Sequence, residues 1–269
     1  MHVQSGLLER FGVWLARRLS SEPRIPPEVG YSNPETLDAA LRPGDVLLVE
    51  GRQKLSTAIK YLTQSTWSHS AMYVGDALPE APTGGDRPQL VEVNAGEGCV
   101  TAPLSKYRLF NTRICRPVGL LPQDRDLVIR FMIDRIGTAY DMKNIIDLAR
   151  YLLPTPPVPV RFRRRMLAMG SGDPTRAICS TMIAEAFQSV RYPILPEMAP
   201  GEDTGRSSSG YSRGELYHIR HHSLFAPRDF DLSPYFAIIK PTIENGFDYR
   251  GLNWADAARP AVPAKDSET

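Results

Sequence analysis

The chain has 269 residues, 42% hydrophobic and 23% charged, ordinary proportions for one well-filled globular domain with appendages. Its 32 basic and 30 acidic residues leave a formal charge of +2, which supplies no broad positive field, so nucleic acid is not an expected partner. Three cysteines, Cys99, Cys115 and Cys179, form neither a Cys-x-x-Cys metal pair nor an even disulfide set, which points to free thiols in a reducing, cytoplasmic compartment.

Residues 1–33 read as an appendage. Leu7, Leu8, Phe11, Trp14, Leu15 and Leu19 recur at helical spacing among Arg10, Arg17 and Arg18, an amphipathic helix rather than a signal peptide or a membrane span. It has two readings, a helix packed on its own domain or a peripheral membrane contact through residues 7–19. Pro23, Pro26, Pro27 and Gly30 then mark a linker.

The main domain is expected over 34–256, with its first strand signal after Leu41. Arg42-Pro-Gly-Asp45 is a turn, and the apolar run 46–49 reads as a buried strand. Residues 55–62 follow as a short helix. From Ser68 the pattern alternates, with Ser70, Met72 and Val74 on one side and His69, Ala71 and Tyr73 on the other. After a Pro- and Gly-rich loop over 77–88, residues 90–93 form the next, antiparallel strand. Further strands are expected around Val100 and over 112–116, before a turn over 117–122.

Residues 124–136 carry Leu127, Val128, Phe131, Met132 and Ile136 as an apolar face, with Gly137 where a helix stops. A second helix is expected over 144–153, and Pro154–Pro159 breaks the chain before the basic segment 161–167. That segment suits contact with anionic lipid or nucleic acid, or a solvated basic face. Ile178, Met182, Ile183, Ala186, Phe187 and Val190 mark a clear amphipathic helix with Cys179 in its first turn. Residues 198–214 read as a mobile loop or lid and 257–269 as a frayed polar tail.

Cys179 has the placement a nucleophile needs, since unpaired amides and the dipole at a helix start stabilise a thiolate. A small buried apolar residue is the alternative use of such a cysteine. Of the five histidines, His2, His69, His218, His221 and His222, only His69 opens a core strand, where the backbone would hold a general base rigidly. Glu92 on the neighbouring strand is placed to accept the other imidazole N–H, with Asp45 and Glu97 ranked lower because each sits at a turn. Trp67 and Tyr140 are candidate substrate contacts, each with a structural alternative. The histidines at 218, 221 and 222 lack a carboxylate or cysteine partner at diagnostic spacing, so neither a metal nor another cofactor is expected.

The ordered set Leu41-Arg-Pro-Gly-Asp45-Val, Ser68-His69-Ser-Ala-Met-Tyr-Val-Gly75, Val91-Glu92-Val, Gly137-x-x-Tyr140-Asp141 and Ile178-Cys179-Ser180 resembles the YiiX/YebB-like branch of the NlpC-type cysteine hydrolases. The string from Ala226 to Phe236 is similar to that family's closing segment, so the resemblance covers about residues 41–239. It implies an α+β class with a circularly permuted papain-like fold, an antiparallel sheet or barrel packed against helices, in which histidine precedes cysteine along the chain. It also implies Cys179 as nucleophile, His69 as base and Glu92 as orienting acid of a catalytic triad. The expected activity is a cysteine amidase or thiol protease working through an acyl-enzyme. The expected partner is an amide- or acyl-containing small molecule, peptide or lipid, with a lipid-linked or cell-wall-type substrate implied by the family alone. An acyltransferase or lipase of lecithin retinol acyltransferase type and a non-catalytic binding module are the alternatives. The segments 1–33, 154–173 and 198–214 have no counterpart in the resemblance.

Overall fold

The computed structural model describes residues 34–79, 86–94, 97–138, 178–200, 215–218, 225–244, 246 and 248–251. The amino-terminal helix and linker, the helix over 144–153, the basic segment, Tyr140, Asp141, His221, His222 and the tail lie outside them.

In chain order the elements are α1 (Pro34–Ala40), β1 (Val46–Val49), α2 (Lys54–Thr63), β2 (His69–Tyr73), β3 (Pro88–Asn94), β4 (Gly98–Pro103) and β5 (Thr112–Pro117). There follow α3 (Pro122–Ile133), α4 (Ile178–Ser189), β6 (Glu197–Pro200), β7 (Glu215–His218), α5 (Pro227–Leu232), β8 (Phe236–Ile239) and α6 (Pro241–Glu244). Six strands form one sheet in the order β4-β3-β2-β1-β5-β8, with every neighbouring pair antiparallel. The fold is thus mixed α and β, an antiparallel sheet packed against helices.

Both faces of this sheet are covered, which explains why β1 reads Val-Leu-Leu-Val without alternation. Val46, Leu48, Met72, Val74, Val91 and Val93 share one cluster with Val128 and Met132 of α3 and Ile183 and Phe187 of α4. Leu47, Val49, Ala71, Tyr73 and Leu90 share the opposite cluster with Leu37 and Ala40 of α1 and with Leu104 and Tyr107. The alternation expected in β2 is therefore observed, each parity joining its own cluster.

Three expectations are corrected. The apolar face of the helix near 124–136 consists of Val128, Ile129 and Met132, whereas Leu127 is 54% and Ile136 37% exposed. Apolar residues at 127–129, 131–133 and 136 nearly encircle this helix, so spacing could not choose the stripe, and packing against α4 and the sheet did. Residues 198–200 of the loop expected over 198–214 are strand instead, because Glu197–Pro200 pairs with Glu215–His218 as a separate two-stranded sheet, with Met198 opposite Tyr217; residues 201–214 lie outside the described residues. The same pairing puts His218 in a strand rather than a loop. The chain also forms helix α1 ahead of Leu41 and a sixth strand, β8, beside β5.

Two glycines are required by local geometry. Gly44 turns the chain into β1 at φ +92°, in the left-handed region that side chains avoid. At Gly51 a β-carbon would lie 2.2 Å from Ser56 Oγ and 2.8 Å from Ser68 Oγ. Its absence lets Gly51 N–H donate to Ser68 Oγ at 2.9 Å, which fixes the chain one residue before His69.

Candidate active site

The start of α4 is tied to the body by Ser180 Oγ, which donates to the Phe225 carbonyl at 2.7 Å, while Ile183, Ala186 and Phe187 are wholly buried. Those contacts set the helix against β2 and leave Cys179, 5% exposed, in its first turn. Burial alone would raise the Cys179 thiol, but the His69 imidazolium and hydrogen bonds from His69 and Ser70 outweigh it and lower the pKa below its ordinary value. Ser70 presents its backbone N–H to the sulfur, while its buried hydroxyl oxygen has no hydrogen-bond partner among the described residues.

The other cysteines behave oppositely. Burial raises the Cys99 thiol to about 11, with Arg135 lowering it and Glu92 raising it by smaller amounts. Cys115 is pushed up further, again by burial. Among the three, only the cysteine at the helix start is favoured as a thiolate.

His69 opens β2, opposite Val49 on β1. On the other side Glu92 pairs with Ala71, so His69 and Glu92 are diagonal neighbours on one face of the β2–β3 pair. Their contact is direct, with His69 Nε2 3.1 Å from Glu92 Oε2. When Nε2 carries the proton donated to Glu92, Nδ1 is left unprotonated as the acceptor. Burial opposes a charged imidazole, but the Cys179 thiolate and the Glu92 carboxylate together raise the His69 pKa to about 10.

Glu92 is the most enclosed acid of the site, with its side chain 0% exposed. Its Oε2 accepts from His69 and from the Tyr107 hydroxyl, and its Oε1 from Lys106 Nζ and from Asn94 Nδ2 at 3.0 Å. Burial would favour the protonated acid. The His69 and Lys106 cations and their hydrogen bonds reverse this and hold the carboxyl well below the usual range.

The structure therefore brings Cys179, His69 and Glu92 together. Asp45, the lower-ranked acid, is engaged elsewhere, accepting two hydrogen bonds from Arg116 at 2.9 and 2.7 Å and one from Arg42 N–H at 2.8 Å. Glu97 accepts from Asn94 Nδ2 at 2.9 Å at the rim of the cluster. Trp67 is buried in the core; its Nε1 donates to Asp231 Oδ2 at 3.0 Å and the Arg113 guanidinium lies 4.9 Å from its ring. Sequence reasoning missed Ser70, Asn94, Lys106 and Tyr107. Asn94 stood two residues from Glu92 on the same strand face, a readable signal. Lys106 and Tyr107 arrive on a 3-10 turn (Leu104–Tyr107) far along the chain, and no local pattern marked them.

A cavity of about 470 Å³, bordered by Glu35, Asp38, Arg87, Gln89, Leu104 and Arg108, contains none of the three candidate residues. Chemistry rather than cavity size locates the site. Among the described residues no group of three or more His, Cys, Asp and Glu side chains is arranged to hold a metal ion, and no helix is long and apolar enough to cross a membrane.

No family model matches the chain, and no curated protein matches it. Among solved structures it is similar to the crystal structure of the metalloprotein yiiX from Escherichia coli O157:H7, at 14% sequence identity and a TM-score of 0.42, over 75% of this chain and 97% of that one.

Proposed function

We propose that the chain is a cysteine hydrolase that cleaves an amide or peptide bond through an acyl-enzyme on Cys179, with His69 as general acid and base and Glu92 as its orienting acid. One observation carries this reading. The only cysteine with a lowered pKa sits in the first turn of a helix beside a histidine whose second nitrogen is held 3.1 Å from a buried carboxylate.

In the proposed cycle the Cys179 thiolate attacks the substrate carbonyl carbon, and the carbonyl electrons move to oxygen. Backbone N–H groups at the start of α4, Cys179's own among them, stabilise that oxyanion; loss of one such donor costs roughly 3 kcal/mol of barrier. The His69 imidazolium gives its proton to the leaving nitrogen as the carbon–nitrogen bond breaks. Neutral His69 then takes a proton from water, whose oxygen attacks the thioester and releases the acid and the thiolate. Glu92 keeps the imidazole in one tautomer throughout.

The order along the chain, histidine before cysteine, supports a circularly permuted papain-like arrangement. A lipid-linked or cell-wall-type substrate belongs to this proposal, as do a substrate contact by Tyr140 and a membrane contact by residues 7–19, whereas Trp67, buried in the core, is not part of it. Turnover of a panel of amide and ester substrates by wild type and by Cys179→Ala tests the reading. Activity should disappear in the variant while the unfolding transition persists; a folded Cys179→Ala protein that still hydrolyses them would overturn the assignment.

A further inference from the structure

Orienting His69 needs one oxygen of Glu92, yet both oxygens are occupied twice. Two of the four donors, Lys106 and Tyr107, come from the 3-10 turn after β4 rather than from the strands that carry the histidine and the acid. Tyr107 is 4% exposed, its ring centroid lies 6.1 Å from that of His69 at 37°, and Phe110 meets it edge-on at 5.6 Å. Lys106 Nζ lies 5.2 Å from the Tyr107 ring centroid, with its side chain 41% exposed. The turn thus packs a fixed hydroxyl and a cation against a carboxylate that water does not reach.

We propose that Lys106 and Tyr107 are positioning residues for the Cys179–His69 pair, filling the remaining acceptor sites of Glu92 so that its carboxylate keeps one orientation and a balanced charge wherever the His69 proton lies. This rests on the thiol hydrolase reading above and deepens it. With thiol and imidazole neutral, Glu92 is balanced by Lys106. With thiolate and imidazolium formed, two opposite pairs are present and the sum is unchanged. Without Lys106 the resting state would hold an unbalanced buried anion, which binds the imidazolium more tightly and makes its proton harder to give to a leaving group. Without the Tyr107 hydroxyl, Glu92 Oε2 would lose the partner that aims it at Nε2. Burial and the neighbouring Glu92 push the Tyr107 phenol well above its ordinary value, so it remains a donor.

Among the described residues the other titratable groups facing the cluster are Cys179 from α4, His69 from β2, Cys99 from β4 with Arg135 acting on it, and, through Asn94, Glu97. Of the described residues, Lys106 is the cation in contact with Glu92 whose charge does not depend on the transferred proton.

The test is the rate of Cys179 alkylation by iodoacetamide against pH, followed by peptide mapping in the full chain, for wild type, Lys106→Met, Lys106→Arg and Tyr107→Phe. Lys106→Met and Tyr107→Phe should each raise the pH midpoint of Cys179 labelling by about one unit, the first because an unbalanced Glu92 anion opposes a second anion on the nearby sulfur, the second because the carboxylate no longer holds the imidazolium in place beside the thiolate. Lys106→Arg, which keeps the charge, should stay close to wild type. Wild-type midpoints in folded Lys106→Met and Tyr107→Phe would overturn the proposal, as would an equal shift in Lys106→Arg and Lys106→Met. Thermal unfolding checks each fold, and the half-exposed Lys106 supplies a tolerant position should Tyr107→Phe unfold. Absence of wild-type labelling at Cys179 below about pH 7 would instead remove the thiolate reading itself.

Discussion

His69 Nε2 stands 3.1 Å from Glu92 Oε2 across the β2–β3 pair, a contact fixed by the register that sets Glu92 opposite Ala71. A shift by one residue in either strand would send one side chain to the opposite face of the sheet. The same backbone pairing that builds the core therefore aligns the proposed base with its acid.

Glu92→Gln tests that relationship. The amide still accepts from Tyr107 but carries no charge to balance an imidazolium, so His69 should titrate at lower pH and Cys179 at higher pH. Turnover should fall by roughly 100-fold or more, the scale of lost acid–base catalysis. Imidazole titration by nuclear magnetic resonance, alongside the rate, checks both halves; an unchanged His69 titration would contradict the contact's role.

The pH dependence of stability has a definite shape. Folded Cys179 binds fewer protons than unfolded between its lowered pKa and the ordinary value of 9.0, so its contribution is present above 9.0 and lost as pH falls through the lowered value. Folded His69 binds more between 6.5 and about 10, so its contribution is complete below 6.5 and lost as pH rises through about 10. Where the windows overlap the slopes oppose. The stability difference between wild type and Cys179→Ala should be nearly flat where the two windows overlap, below 9.0, and should fall as pH rises from there through about 10. Thermal midpoints measured across pH read this directly, and a steadily rising or falling difference would disagree with it.

Asp45 is an acid of a different kind. It is 1% exposed and gripped by Arg116 in two hydrogen bonds, with a third from Arg42 N–H, and it touches none of the thiol cluster. Asp45→Ala strands the guanidinium and should cost about 3 kcal/mol of stability, the scale of breaking a buried pair. In folded protein the pH midpoint for Cys179 alkylation should stay at its wild-type value.

Trp67 links the lead into β2 with α5 through its hydrogen bond to Asp231, which Arg113 also holds at 2.6 and 2.8 Å. Trp67→Phe keeps the ring and removes the donor, for an expected loss of about 1 kcal/mol. Trp67→Ala opens the core and should cost about 3–5 kcal/mol. Denaturant unfolding of the two variants separates packing from hydrogen bonding.

Much of the sheet was legible because its strands announce themselves. Val46–Val49 is apolar throughout since both faces are covered, and His69–Tyr73 alternates between two clusters. The amphipathic period of Ile178–Ser189 placed Cys179 in a helical first turn. The stripe of α3 was not legible, because its apolar residues surround the helix. Nor was the pairing of Glu197–Pro200 with Glu215–His218, two short segments whose strand character comes from each other. Within the site, Cys179, His69 and Glu92 could be named from helix start, strand start and adjacent strand. Ser70 was assigned to a core face, and Lys106 and Tyr107 reach Glu92 from a turn that carries no motif, so tertiary packing alone reveals them.

The central claim is that Cys179 is the activated thiol. Iodoacetamide treatment of the folded chain at mildly acidic pH, followed by intact mass and peptide mapping, tests it most directly. A single adduct on Cys179, with Cys99 and Cys115 spared behind their raised thiol pKa values, is the predicted result. Preferential labelling of Cys99 or Cys115 in folded protein would contradict it.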